Sequence, residues 1–500
     1  MHASHRSVLG LALVLGAATL AYRGVPRLEL LGWDTYPTIA ASRIGSASDL
    51  ADTLREELMD GRYPGGRFYR PLTNLSLALD FALFGLAPLG YQLTNLLVLA
   101  AAIAAVHALA RRLLGDGPGV WIASAVFALH PLQLEWLPAA ARRAEMLATL
   151  FTTTALIAGL ARSPGRAGSV WTALAVLLAC ASKEIGAAAL PLVAAAAWIL
   201  PERGSPRARL AAAAAATALP AAGFAALLAA RVAALGGLGG HPESSLLAGA
   251  FRGLVQGPDY ARSLFLPQPL VGSAALDLAA GLALAGAVVL GLRLVARDDA
   301  ARAGAAAPPR RVLALLVLWL ALLLALTGVS GVRAAWYGAP FLAPYALGLG
   351  VLADGALAAA RARRRAAAIV AGAALACLLA THLRSSGLVH DYPEWRVVSD
   401  QAREFLQRFR TAVAAAEPGV TIAVPGLPLG EAKPIDEVGI RSALGLTDYS
   451  VQAYAELALP DRPVRVVIRT EPGSTPPAPG LVTVDVAPIP GPLFRGEAAP

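Results

Sequence analysis

The chain has 500 residues, of which 57% are hydrophobic and 15% charged, against about 25% charged in an ordinary soluble domain. Apolar stretches of roughly 18 or more residues recur along most of it, which excludes a soluble enzyme, a disordered chain and a collagen-like one and defines a polytopic membrane protein. The net charge is +9, and the arginines sit between apolar runs, as in cytoplasmic loops facing anionic lipid rather than on a nucleic-acid surface.

The first apolar run, about 7–22, lacks a small-residue cleavage site, because Tyr22, Arg23 and Arg27 follow directly; it reads as an uncleaved first span. The segment 71–86 is apolar but short of the roughly 20 residues needed to cross. Its Thr73, Ser76 and Asp80 share one helical stripe and Pro71 suits a first turn, so the expectation is an interfacial helix within an outer loop 24–89. Further spans are predicted at about 90–111, 119–136, 144–161, 168–182, 185–200, 210–230, 274–292, 312–330, 338–357 and 366–381, making about eleven. With 71–86 left out of the count, one set of short loops carries sixteen arginines and the opposite set six, so the first set is cytoplasmic. Loop 24–89 and the tail from about 383 are then outside, with the N-terminus in the cytoplasm.

The tail is different material. A helical pattern over 396–416 precedes β-like runs at Val420–Val424, Val464–Ile468 and Leu481–Val486, with Pro and Gly between them. The fold class predicted is mainly α: a transmembrane domain over 1–382 and a small extracytoplasmic α/β domain over 383–500 with a Pro/Gly-rich end.

Charged groups in or beside spans are costly and point to function. Asp34 follows Trp33 in the outer loop; the plainer alternative is a solvated turn aspartate. Pro131 breaks the third span after His130, and Glu135 sits at the breach, followed by Arg142, Arg143 and Glu145; snorkelling and an Arg–Glu pair are the alternative. Lys183-Glu184 interrupts an otherwise almost uncharged stretch and suits a tight outer turn. Lysine occurs only twice, at Lys183 and Lys433, so its use here suggests a need for a primary ammonium. Arg333, Trp336 and Tyr337 open the tenth span on the same side. Together these residues describe an outward cavity with carboxylates and cations, suited to an anionic, lipid-borne substrate. The two cysteines, Cys180 and Cys377, form no disulfide or zinc framework.

The block Phe68-Tyr69-Arg70-Pro71-Leu72-Thr73-Asn74-Leu75, then Asp80 to Gly85, then Gly90-Tyr91-Gln92-Leu93-Thr94-Asn95-Leu96-Leu97, resembles that of the GT-C glycosyltransferases allied to protein O-mannosyltransferases. The nearest likeness is to the branch whose eukaryotic members carry TPR repeats. Further matching motifs are an HPxxxE…R-x-[DE]-LLA element at His130, Pro131, Glu135, Arg143, Glu145 and Ala148, an SKE turn at Ser182-Lys183-Glu184, and an aromatic opening around Arg333, Trp336, Tyr337 and Pro340. The likeness runs in order over about 30–350. This chain departs from the pattern at Thr35, where a second acid is common, at Gln92, where histidine is common, and at Glu145, where aspartate is usual; the TPR array is absent.

The resemblance implies a polyprenyl-phosphate sugar donor and transfer on the outer face to a glycan, lipid or protein acceptor. Asp34 would be the general base and Glu135 a second acid lining the site. Arg143, Lys183 and Arg333 would hold the donor phosphate, with Arg70, Asn95, His130, Glu145, Glu184 and Tyr337 as further substrate-binding residues. No cofactor is specified; a divalent cation stays open, although Asp34-Thr35 weakens a two-carboxylate metal site. A transporter or flippase for lipid-linked sugars, an O-antigen ligase or polymerase, and a non-catalytic scaffold are the competing classes; the absence of an internal repeat argues against the transporter.

Overall fold

The computed structural model describes all residues except 1–2, 64–65, 161–165, 202–203, 241–245, 268–272, 297–306, 331–333, 390–392, 418, 425–426, 428–444, 469–480 and 484–500. The chain opens with α1 (Ala3–Ala21). The loop after it holds two short helices, α2 (Thr35–Ala41) and α3 (Ala47–Thr53), and then α4 (Pro71–Phe84). The bundle continues with α5 (Pro88–Leu114), α6 (Pro118–Leu129), α7 (Arg143–Gly159), α8 (Arg166–Ser182), α9 (Ala189–Ile199), α10 (Pro206–Leu235), α11 (Leu246–Phe265), α12 (Ala274–Val295), α13 (Pro309–Val329), α14 (Leu342–Arg361) and α15 (Arg365–Ser385). The tail contains α16 (Pro393–Ala415), β1 (Thr421–Val424), α17 (Asp448–Ala458), β2 (Arg465–Ile468) and β3 (Leu481–Thr483). The strands form a parallel sheet in the order β2-β1-β3, with Thr421 opposite Arg465 and Leu481.

Seven helices among the described residues are long and apolar enough to cross a bilayer: α1, α5, α10, α12, α13, α14 and α15, several with short extensions. Four further predicted spans are shorter. Helices α6, α7, α8 and α9 run for 12, 17, 17 and 11 residues. Pro131 ends α6, and the turns at 130–142 and 183–188 take up residues that hydropathy alone assigned to the spans.

Helix α11 was not among the predicted spans. Arg252, Asp259, Arg262 and Pro258 lower its mean hydropathy, and the helix is amphipathic, with Arg252, Gln256, Asp259 and Ser263 sharing one stripe. Tyr260 and Leu264 are buried, whereas Leu247, Phe251 and Leu254 are exposed. It crosses α13 with backbone nearly in contact: a Cβ on Gly253 would stand 2.1 Å from the Leu324 carbonyl oxygen.

Helix α4 has the expected bounds to within two residues, and its polar stripe faces the bundle rather than water. Thr73 Oγ1 donates to the Ser182 carbonyl at 2.8 Å, while Ser76 and Asp80 both receive Arg143. In hydrocarbon, such groups must be satisfied internally.

The tail and the loop between α1 and α4 share one apolar core. Leu30, Tyr36 and Ile39 from the loop pack with Phe405 and Phe409 of α16 and Val451 and Tyr454 of α17. The Tyr454 ring meets Tyr36 edge-on at 5.2 Å. This core carries the loop that bears Asp34.

Candidate active site

Three turns at one end of the bundle supply the polar residues. The first is the start of α2, where Asp34 stands at the N-cap position, half-buried. The second is the stretch 130–142. His130 is its hinge: Nδ1 accepts the Leu132 amide at 3.2 Å and Nε2 donates to the Leu264 carbonyl at 3.0 Å. Gln92 and Asn95 of α5 hold the stretch by donating to the carbonyls of Pro138 at 3.1 Å and Leu137 at 2.8 Å. The third turn begins at Lys183, where Gly186 lies so near α8 that a Cβ would stand 2.1 Å from the Ala179 carbonyl oxygen.

These turns enclose a cavity of about 170 Å³ walled by Asp34, Arg70, Arg142, Glu145 and Lys183 together with the rings of Trp33, Tyr63, Trp336, Tyr337 and Tyr449. Lys183 Nζ is ion-paired with Glu145 and sits 4.5 Å from the Tyr337 ring centre. The Arg142 guanidinium lies over Trp336 at 3.8 Å. Asp34 Oδ1 accepts the Tyr449 hydroxyl at 3.0 Å. Burial raises the Asp34 carboxyl above the ordinary carboxylate range, opposed by the Tyr449 hydrogen bond and by the charges of Arg142, Arg70 and Lys183.

A second cavity of about 300 Å³ adjoins the first and shares Phe68, Arg70, Lys183 and Tyr337 with it. Glu184 bridges two guanidiniums here, Arg70 at 2.8 Å and Arg231 at 3.0 Å. The remaining wall is mostly apolar, with Phe224, Leu227 and Leu228 from α10 and Leu326 and Val329 from α13 beside Thr327 and Ser330. A greasy groove thus ends at a cluster of cations.

The structure brings together Asp34, Arg70, Glu145, Lys183, Glu184 and Tyr337 of the predicted site. Arg143 and Asn95 belong elsewhere. Arg143 is fully buried, donating to Asn95 Oδ1 at 2.6 Å, to Ser76 at 3.2 Å and to Asp80, so its guanidinium is committed to protein partners and lines neither cavity. His130 is likewise a buried structural hinge. Glu135 is fully enclosed and lines neither cavity; its carbonyl accepts Arg142, which faces the site. Arg333 and the Pro/Gly-rich end lie outside the described residues.

Arg231 and Tyr449 enter the site without having been singled out for it, and Arg142, named beside Arg143 among the cavity's cations, takes the place in the wall that was assigned to Arg143. The Arg142-Arg143 doublet held a signal, but adjacent residues cannot be told apart by spacing. Tyr449 carried none.

A divalent cation does not fit well. Among the described residues no group of three or more His, Cys, Asp or Glu converges. Glu145 and Glu184 are already neutralised by Lys183, Arg70 and Arg231.

No family model matches the chain. Its sequence is similar to Protein O-mannosyl-transferase Tmtc1 of Drosophila melanogaster, 32% identical over 148 residues that make up 29% of this chain and 17% of that protein. It is also similar to human Protein O-mannosyl-transferases TMTC2, 38% identical over 18% of this chain and 11% of the relative, and TMTC3, 34% identical over 22% and 12%. The matched part therefore spans under a fifth of these relatives. Among solved structures, ArnT from Cupriavidus metallidurans bound to undecaprenyl phosphate aligns at 15% identity and a TM-score of 0.46, covering 92% of this chain and 89% of that one. AglB from Archaeoglobus fulgidus, in complex with an inhibitory peptide and a dolichol-phosphate, aligns at 13% and 0.47, covering 91% and 64%.

The apolar helices and the sequence relatives define an integral, multi-pass membrane protein of mainly helical fold. Over the matched stretches the sequence is similar to protein O-mannosyl-transferases, in line with the motif resemblance.

Proposed function

We propose that the chain is a glycosyltransferase that moves a sugar, in keeping with its relatives a mannose, from a polyprenyl-phosphate donor to an acceptor hydroxyl on the non-cytoplasmic face. One observation carries this reading: an apolar groove between α10 and α13 ends at Arg70, Lys183 and Arg231, directly beside a cavity holding Asp34. The groove suits a prenyl chain, and the cations suit its phosphate.

Catalysis follows from that order. Asp34 takes the proton from the acceptor hydroxyl as its oxygen attacks the anomeric carbon. The bond from that carbon to the phosphate oxygen breaks, and the leaving phosphate keeps the electron pair. Lys183 and Arg70 stabilise the charge that develops there, in a site walled in part by the rings of Trp336 and Tyr337. Direct displacement inverts the sugar. Arg231 and Arg70 are held in position by Glu184. The arginine asymmetry supports a cytoplasmic N-terminus, with Asp34 and the tail from about 383 outside. A transporter would need the groove and the cations but not a proton-accepting carboxylate at their junction.

The test reconstitutes the full chain in nanodiscs with radiolabelled synthetic polyprenyl-phosphate mannose and adds membranes from a strain deleted for the gene as acceptor source. Label passing from the prenyl lipid into another lipid, glycan or protein fraction is expected. Unaltered prenyl-linked label, with the donor merely relocated between leaflets, would overturn the reading.

A further inference from the structure

We propose that Tyr449 of the tail is a positioning residue for Asp34, so that the C-terminal region completes the active site. The proposal rests on the reading of Asp34 as the base.

The local sequence sets up the contact. Thr447 and Ser450 form a capping box that fixes the first turn of α17: the Ser450 amide donates to Thr447 Oγ1 at 3.4 Å, and the Thr447 amide donates to Ser450 Oγ at 3.2 Å. Tyr449 lies inside that turn, so its direction is set with little freedom. The turn docks onto the loop at adjacent points. Ser450 Oγ donates to the Trp33 carbonyl, and the Tyr449 hydroxyl donates to Asp34 Oδ1 at 3.0 Å. Tyr63 packs on the Tyr449 ring at 6.1 Å, and Arg62 pairs with Glu456 at 3.0 Å further along the helix. Residues 415 positions apart in sequence are thereby held in one arrangement.

This contact differs from ordinary docking in what it touches. A carboxylate has two oxygens. A phenol on Oδ1 fixes the plane of the group, while the second oxygen takes the acceptor's proton. The phenol also favours the ionised form, offsetting burial, alongside the other charges facing Asp34: Arg142 from the turn before α7, Arg70 at the start of α4 and Lys183 after α8. Tyr63, Tyr337 and Glu145 share the same cavity. Tyr449 itself lines it, so the tail forms part of its wall.

The test measures the protonation of Asp34 without needing an acceptor. The full chain in nanodiscs is labelled with a water-soluble carbodiimide and an amine across a pH series, and the Asp34 peptide is quantified by mass spectrometry. Tyr449→Phe should move the labelling midpoint upward by about half a pH unit or more. It should also slow sugar transfer about ten- to a hundredfold at unchanged donor KM. Should that variant fail to fold, 3,5-difluorotyrosine at position 449 keeps the shape and is a stronger donor, so the midpoint should move downward. Arg62→Ala, which removes the pair to Glu456 without touching the capping box or Asp34, should leave the midpoint in place. An unchanged midpoint in both Tyr449 variants overturns the proposal. Wild-type transfer by Asp34→Asn overturns instead the base assignment beneath it, and the two results are separate because labelling needs no turnover.

Discussion

The guanidinium of Arg143 is paired with the carboxylate of Asp80, and the two side chains are sealed inside the protein at 0% and 2% exposure. The preceding residue, Arg142, stands over Trp336 and walls the cavity. Two adjacent arginines thus have different work, and the difference can be measured. Arg143→Ala strands a buried carboxylate, a change that costs about 3–5 kcal/mol in comparable cases. It should lower yield and thermal stability in detergent. Arg142→Ala should unfold near the wild-type temperature while transferring sugar more slowly. The reverse pattern would return the substrate role to Arg143.

Asp34→Asn keeps the shape of the side chain and removes the proton acceptor. Transfer should fall about 10²–10⁴-fold with donor binding retained. Asp49→Asn, in the capping box that opens α3, should transfer normally. Turnover within threefold of wild type, about 0.7 kcal/mol, would clear Asp34 of the role.

The sign of the pH dependence follows from the direction of the Asp34 shift. A base works deprotonated, so activity is present above its folded-state pKa and is lost as pH falls through it. That value is raised above 3.8, so the acid limb of kcat/KM should lie at higher pH than for an ordinary aspartate. The limb should vanish in Asp34→Asn. A limb at or below the ordinary aspartate range contradicts the burial argument.

Lys183→Ala should weaken donor binding at least about tenfold, or 1.4 kcal/mol, against no change for Arg207→Ala at the opposite end of the bundle. Lys183→Arg should recover part of the loss, since charge is kept and shape is not. Because Lys183→Ala strands Glu145, the double variant with Glu145→Gln separates folding from binding. Equal donor affinity in that double variant and wild type, read by intrinsic tryptophan fluorescence, would leave the turn a purely structural one.

Gly253→Ala should force α11 off α13, because the added carbon meets the Leu324 carbonyl oxygen rather than a movable side chain. Overpacking of this kind costs about 1–3 kcal/mol. Gly348→Ala on α14, which meets nothing within 4 Å, is the matched control and should unfold at or above the wild-type temperature. Equal melting of the two variants would show that the α11–α13 crossing adjusts freely.

Much of the candidate site is legible in the sequence. Lys183-Glu184 stood out because charge inside a long apolar stretch has few tolerable positions, and a turn is one of them. Asp34 stood out as a carboxylate beside interfacial aromatics. The helix at 71–86 followed from a short apolar run, a polar stripe and Pro71. What failed was anything requiring one neighbour to be preferred over the next, such as Arg142 over Arg143. Helix α11 also escaped, because averaged hydropathy hides an amphipathic segment.

The sequence by itself determined the membrane class, most of the helices and the turns at which charge gathers, because the cost of placing polar groups in hydrocarbon acts residue by residue along the chain. Only the tertiary structure decided which charges neutralise one another, which of them face the cavities, and that Tyr449 reaches Asp34 across 415 positions. Those choices depend on side-chain direction and on the core shared by loop and tail, and burial of that kind is a property of contacts between distant segments that no local pattern contains.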